Sequence, residues 1–122
     1  MHLEELRRNY ATRSLDRDDL NADPFTQFDH WMREAIETQI LEPNAMSLAT
    51  ADATGRPALR TVLLKAFDRR GLVFYTNYES AKARDLAVNP RVALLFAWLP
   101  LERQVNVTGR AEKISAAESL RY

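Results

Sequence analysis

Cysteine is absent from the 122 residues, which excludes a disulfide framework, a thiolate zinc site and a cysteine nucleophile. Glycine is nearly absent too, with Gly55, Gly71 and Gly109 alone. Three isolated glycines cannot make a glycine-rich dinucleotide or phosphate loop, and neither GxGxxG nor GxxxxGK[ST] occurs. There is no excess of either charge: 17 basic side chains face 17 acidic ones. A basic stripe for nucleic acid or an anionic membrane is therefore not indicated. No apolar run reaches the roughly 18 residues a membrane span needs. The opening MHLEELRRNY is charged and has no apolar core of a signal peptide, so the cytoplasm is the expected compartment. Histidine is limited to His2 and His30, neither near a second ligand at metal-binding spacing, so no metal site is expected. The five serines lack a nucleophile-elbow context. Redox or group-transfer chemistry would have to come from a bound cofactor.

What is present suits one folded domain. Hydrophobic residues make up 46% and charged residues 28%, and a chain this long should bury about two thirds of its unfolded surface. Lysine is scarce among the basic residues, with 14 of 17 being arginine. That bias reflects either base composition of the gene or recognition of anions by guanidinium forks.

The pattern along the chain divides near residue 23. Residues 2–10 read as a short helix, and 11–23 as a polar arm without periodicity. Asp23-Pro24 is a helix start, with Asp as N-cap and Pro at the first helical position. Phe25, Phe28, Met32, Ala35, Ile36 and Ile40 then keep helical spacing up to Pro43. From 45 onward the pattern becomes that of strands: 45–51, 57–67, 72–76, 91–98 and 103–114, with turns at 52–55 and 68–71. Residues 81–88 read as a short helix. Ser115 and Glu118 have capping-box spacing, so another helix should begin at 116. That start lies so near Tyr122 that ordered structure is expected to continue in a longer chain. Five strands with sparse helices predict a mainly β domain, a small antiparallel barrel or sandwich with peripheral helices.

Three segments could carry chemistry. Arg60-Thr61-Val62-Leu63-Leu64-Lys65 brackets an apolar stretch with two cations. Strand alternation puts residues five apart on opposite faces, so one straight strand cannot aim both at one anion. Either the cations are solvated strand ends, or they meet anions from two sides. In Phe74-Tyr75-Thr76-Asn77-Tyr78-Glu79-Ser80-Ala81-Lys82-Ala83-Arg84, Ser80 serves as a simple N-cap. Yet Lys82 and Arg84 then crowd the positive end of a helix dipole. Two cations beside free backbone N–H groups suit a bound anion, unless Glu79 and Asp85 neutralise them. In Leu101-Glu102-Arg103-Gln104-Val105-Asn106-Val107, alternation puts Gln104 and Asn106 on one face and Arg103, Val105 and Val107 on the other. The polar pair either faces solvent or hydrogen-bonds a heteroaromatic ring. Trp31 and Trp98 read as core or interface anchors.

These three blocks, in this order, resemble the FMN-dependent pyridoxine/pyridoxamine 5′-phosphate oxidase family. Asp23-Pro24-Phe25, Asn89-Pro90, Phe96-Ala97-Trp98 and Gly109-Arg110-Ala111-Glu112 add to the likeness, which runs from about Leu6 to Tyr122. The resemblance implies a split β-barrel over 23–122, preceded by an N-terminal helix and arm over 1–22. It implies a homodimer with FMN between the subunits, while the balanced charge and the lack of a long apolar run leave no nucleic-acid or membrane partner expected. The implied reaction oxidises pyridoxine or pyridoxamine 5′-phosphate to pyridoxal 5′-phosphate, with O₂ reduced to hydrogen peroxide. Residue by residue, it implies that Arg60, Thr61, Val62, Leu63, Leu64 and Lys65 line FMN, partly through backbone. Arg60 and Lys82 would take its phosphate, Tyr75 and Thr76 would touch it, and Gln104 would bond the flavin ring. Lys65 and Tyr122 match substrate-phosphate contacts, and Arg7, Arg8, Asn9 and Tyr10 match a segment that closes over the substrate. No catalytic acid or base is assigned.

Two departures qualify the likeness. Ala81 stands where the family usually has an arginine to FMN, which implies weaker FMN affinity. The family's later substrate-phosphate loop and Arg/His pair have no counterpart up to Tyr122, so the chain resembles the N-terminal part of such an oxidase. Two alternatives remain open at this point: another split-barrel flavin or deazaflavin reductase, and a non-catalytic dimeric module binding FMN or pyridoxal phosphate.

Overall fold

The computed structural model describes residues 1–6, 15–76 and 81–114, with the side chain of Ala81 excepted. The expected helix at 116, and the predicted contacts at 7–10, Ser80 and Tyr122, lie outside the described residues.

Asp23 caps α1 (Pro24–Glu37) as its sequence predicts, its carboxylate accepting from the Phe25 N–H at 3.0 Å and the Thr26 hydroxyl at 2.9 Å. The helix stops earlier than its apolar spacing suggests. Gln39 takes a left-handed φ of 58°, and the Ile40 N–H turns back to the Ala35 carbonyl at 3.0 Å. This closes the helix as a Schellman-type motif with glutamine in place of the usual glycine. Phe28, Met32 and Ala35 form the buried stripe of α1.

Five strands follow: β1 (Ala45–Ala51), β2 (Pro57–Asp68), β3 (Gly71–Phe74), β4 (Arg91–Trp98) and β5 (Arg103–Arg110), with α2 (Ala81–Val88) between β3 and β4. All pairings are antiparallel, and the sheet order is β3-β2-β1-β4-β5. The β1–β2 hairpin is held by Asp52, whose Oδ1 accepts from the Thr54 N–H, the Thr54 hydroxyl and the Arg56 N–H. Gly55 supplies the positive φ of 86° that the turn needs. The predicted strands are all present, with β3 and β5 shorter than their apolar patterns. Of the predicted first helix, the described part is a single 3₁₀ turn at Glu4–Leu6, exposed throughout, and the arm contains another at Arg17–Asp19.

Burial alternates along the strands, so one face of the sheet forms the core. Met46 and Leu48 from β1, Val62 and Leu64 from β2, and Leu94, Phe96 and Trp98 from β4 meet the α1 stripe there. Phe28 is the hub, with ring centroids 4.8 Å from Phe67, 5.1 Å from Phe96 and 6.1 Å from Trp98. Trp98 is a core residue, and its indole N–H donates to the Pro43 carbonyl at 2.9 Å. Trp31 lies at the margin, stacked under Arg103 at 4.8 Å, while Arg103 Nη1 binds Glu34 Oε2 at 2.5 Å. The sheet curls without closing. A cavity of about 1280 Å³ is lined by Phe74 of β3, Leu86 of α2, Leu94 of β4, and Val107 and the following Ile114 on the β5 side.

Candidate functional site

Alternation along β2 separates the two cations as the sequence predicts. Arg60 is half-buried on the concave face with Val62 and Leu64, whereas Lys65 is exposed on the outer face with Thr61 and Leu63. The Val62 and Leu64 side chains are core. At the end of this run the ladder skips. Leu64 pairs with Phe74 and Ala66 with Val73, leaving Lys65 as the extra residue of a bulge. Asn44 fixes the spot from the side: its carbonyl accepts from the Leu64 N–H at 2.8 Å, and its Nδ2 donates to the Leu64 carbonyl at 3.0 Å. The Lys65 ammonium then lies 5.9 Å from the centre of the exposed Tyr75 ring. Thr76, the next residue, is half-buried.

The concave cations are brought together by tertiary structure. Arg60 Nη1 donates to the Leu48 carbonyl at 3.1 Å and to Thr50 Oγ1 at 2.8 Å. The Thr50 hydroxyl in turn donates to Asp85 Oδ2 of α2 at 3.2 Å, and Arg60 Nη2 stands 4.0 Å from that same oxygen. Lys82, one turn earlier on α2, is half-buried. Partial burial pushes its ammonium pKa down, and the neighbouring positive charge of Arg60 pushes it further the same way. A neighbouring negative charge would act in the opposite direction, favouring the charged ammonium. Arg84, the other predicted cation of this turn, is exposed.

Beyond Leu64, toward its N-terminal end, β2 has no β3 partner among the described residues. Gln104 and Asn106 share the outer face, as alternation predicts, with Arg103, Val105 and Val107 turned inward. The pairings Thr61–Ser47–Leu95–Asn106 make one row across the sheet. Gln104 is therefore three strand spacings from β2, about 14 Å away across the sheet. One copy does not bring Gln104 against Arg60 and Lys82.

Sequence reasoning missed Thr50. A threonine inside AMSLATA reads as strand filler, and nothing local says that it is buried with a cation above it. The bulge at Lys65 was equally unmarked.

A curled antiparallel sheet with a helix over its concave side defines a protein of the split-barrel type. Solved structures of that type match it. One is PhzG from Burkholderia lata in complex with tetrahydrophenazine-1-carboxylic acid, with TM-score 0.80 and 30% identity over 86% of this chain and 53% of that one. Another is a pyridoxamine 5′-phosphate oxidase-related, FMN-binding protein from Nostoc punctiforme, with TM-score 0.65 and 20% identity, covering 84% and 55% of the two chains. The sequence profile of the pyridoxamine 5′-phosphate oxidase family matches residues 32–122. A pyridoxine/pyridoxamine 5′-phosphate oxidase of Rippkaea orientalis is 62% identical over all of this chain and 58% of its own length. The chain belongs to the pyridoxamine 5′-phosphate oxidase family, and it spans somewhat over half the length of the curated relatives it matches.

Proposed function

We propose that this chain forms the FMN-binding part of an oxidase that converts pyridoxine or pyridoxamine 5′-phosphate to pyridoxal 5′-phosphate. The observation that carries this reading is the pairing of Arg60 with Lys82 at an open sheet edge. Two cations, one of them with a depressed pKa, suit the dianionic phosphate of FMN. When bound, FMN would supply the two-electron redox chemistry, the substrate's hydride equivalent ending on O₂ as hydrogen peroxide. The pyridoxamine route also consumes water and releases ammonia.

The chain's own groups supply binding and orientation. Arg60 and Lys82 hold the cofactor phosphate. The backbone of 60–65, with Thr61 and Leu63, lines the cofactor around the β2 edge, and Tyr75 and Thr76 flank it. Lys65 stays on the outer face to take a second phosphate, that of the substrate, together with Tyr122. Arg7, Arg8, Asn9 and Tyr10, in the arm over 1–22, close over it, and 23–122 is the barrel part. Gln104 reaches the flavin ring from a second copy, since within one copy it lies about 14 Å from β2. The outer sheet face, with Leu59 and Leu63 exposed, is the surface such a homodimer would cover.

Anaerobic addition of pyridoxamine 5′-phosphate to the FMN-loaded protein tests this reading. Bleaching of the flavin, followed on aeration by equal amounts of pyridoxal 5′-phosphate and peroxide, is the expected result. Bleaching by a reduced nicotinamide alone would assign a reductase instead. Tight FMN binding with no bleaching by either would assign a non-catalytic module. PhzG, at 30% identity, supports a second reading in which the substrate is an unphosphorylated ring. Lys65→Ala separates the two: a raised KM for the phosphorylated substrate supports the first.

A further inference from the structure

We propose that Thr50 and Asp85 are positioning residues for the Arg60 guanidinium, fixing it ready to receive an anion. The inference rests on the reading of Arg60 and Lys82 as a phosphate site. Thr50 is the buried polar residue of the core, 3% exposed, and a buried hydroxyl persists only where it is bonded. Here it is bonded both ways, accepting from Arg60 Nη1 and donating to Asp85 Oδ2. With Leu48 O also taking Nη1, one end of the guanidinium is anchored to β1. The Asp85 carboxylate stands 4.0 Å from Nη2, on the other end. Nε and Nη2 have no hydrogen-bond partner among the described residues. Of the five N–H donors of an arginine, those on Nη1 are spent on β1, and those on Nε and Nη2 are held in place beside Asp85 without a hydrogen bond among the described residues.

Charge and geometry predict opposite signs for Asp85, which makes the proposal testable. As a mere negative charge near a phosphate site, Asp85 weakens anion binding, and its removal should tighten it. As a positioning group it strengthens binding, and its removal should weaken it by releasing Arg60 rotamers.

The measurement is the ratio of riboflavin to FMN dissociation constants, which isolates the phosphate contribution, for the chain and its variants. Thr50→Val and Asp85→Ala should each shrink that ratio about tenfold, leave riboflavin binding unchanged, and have no further effect in an Arg60→Ala background. Thr50→Ser should restore the ratio. A ratio unchanged or raised in Asp85→Ala, or a loss that persists without Arg60, overturns the proposal. If the unsubstituted chain binds FMN and riboflavin equally, the phosphate reading fails on its own. The positioning claim is then decided by the ¹⁵N heteronuclear NOE of Arg60 Nε–H without ligand. Rigid in the unsubstituted chain and mobile in both variants supports it; no difference refutes it.

Discussion

Truncating Phe28 to alanine removes the ring that joins α1 to the sheet. That ring is 7% exposed and touches three others: Phe67 edge-on at 4.8 Å, Phe96 at 5.1 Å and Trp98 at 6.1 Å. A buried Phe→Ala change costs about 3–5 kcal/mol, and the upper half of that range applies because aromatic pairs add roughly 0.5–1.5 kcal/mol each beyond area. A domain of this length has about 6–18 kcal/mol in total, so the variant loses a large part of its stability. Phe28→Leu, which keeps most of the volume, should lose less than half as much. Phe25→Ala, half-buried on the same helix, should lose less than Phe28→Ala. Urea unfolding followed by tryptophan fluorescence reads all three, since Trp98 lies within the cluster. A loss under about 1.5 kcal/mol for Phe28→Ala, or equal losses at 25 and 28, would refute this account of how the helix is docked.

Three further outcomes follow from the charges and the site. The carboxyls of Asp52 and Asp68 are held below the usual aspartate range, Asp52 mainly by the Thr54 hydroxyl and the Arg56 and Thr54 N–H groups, Asp68 mainly by the Arg70 side chain. For Asp23, burial acts upward but is outweighed by Thr26, Arg69 and the Phe25 N–H. The unfolded chain therefore binds more protons in acid, so stability from these groups is present above pH 3.8 and is lost as pH falls through their lower folded values. Thermal unfolding at pH 3 should come at a lower temperature than at pH 6, and an equal midpoint would contradict this. The depressed Lys82 pKa has the opposite consequence for ligand: FMN affinity should decline with rising pH earlier than an ordinary lysine would allow, and Lys82→Met should flatten the profile. Ala81→Arg should tighten FMN by about 10- to 150-fold, from the 1.5–3 kcal/mol of a charge-assisted contact; unchanged affinity would show that the missing arginine is of no consequence.

Most of the sheet is legible in the sequence because its signals are local. Strand alternation separates Arg60 from Lys65, and Asp23-Pro24 marks the start of α1 without any tertiary information. The crowding of Lys82 at a helix start is also local, and it suggests an anion there without saying that Arg60 lies beside it. What could not be read depends on partners far apart in the chain. Thr50 and Asp85 are 35 residues apart and meet only because α2 lies over β1. The Arg103–Glu34 pair spans 69 residues, and its stacking on Trp31 has no sequence signature. The end of α1 is hidden in the sequence because a glutamine, rather than glycine, takes the left-handed position at 39. The bulge at Lys65 is set by Asn44, 20 residues upstream of Leu64.

The central claim is that Arg60 and Lys82 form one phosphate site. Equilibrium titration of the ligand-free chain with FMN and with riboflavin, read by the flavin visible spectrum, tests it directly. The account predicts saturable FMN binding, much tighter than riboflavin, with the difference abolished in the Arg60→Ala, Lys82→Ala double variant. Equal affinity for the two flavins, or a preference for FMN that survives the double variant, would contradict it.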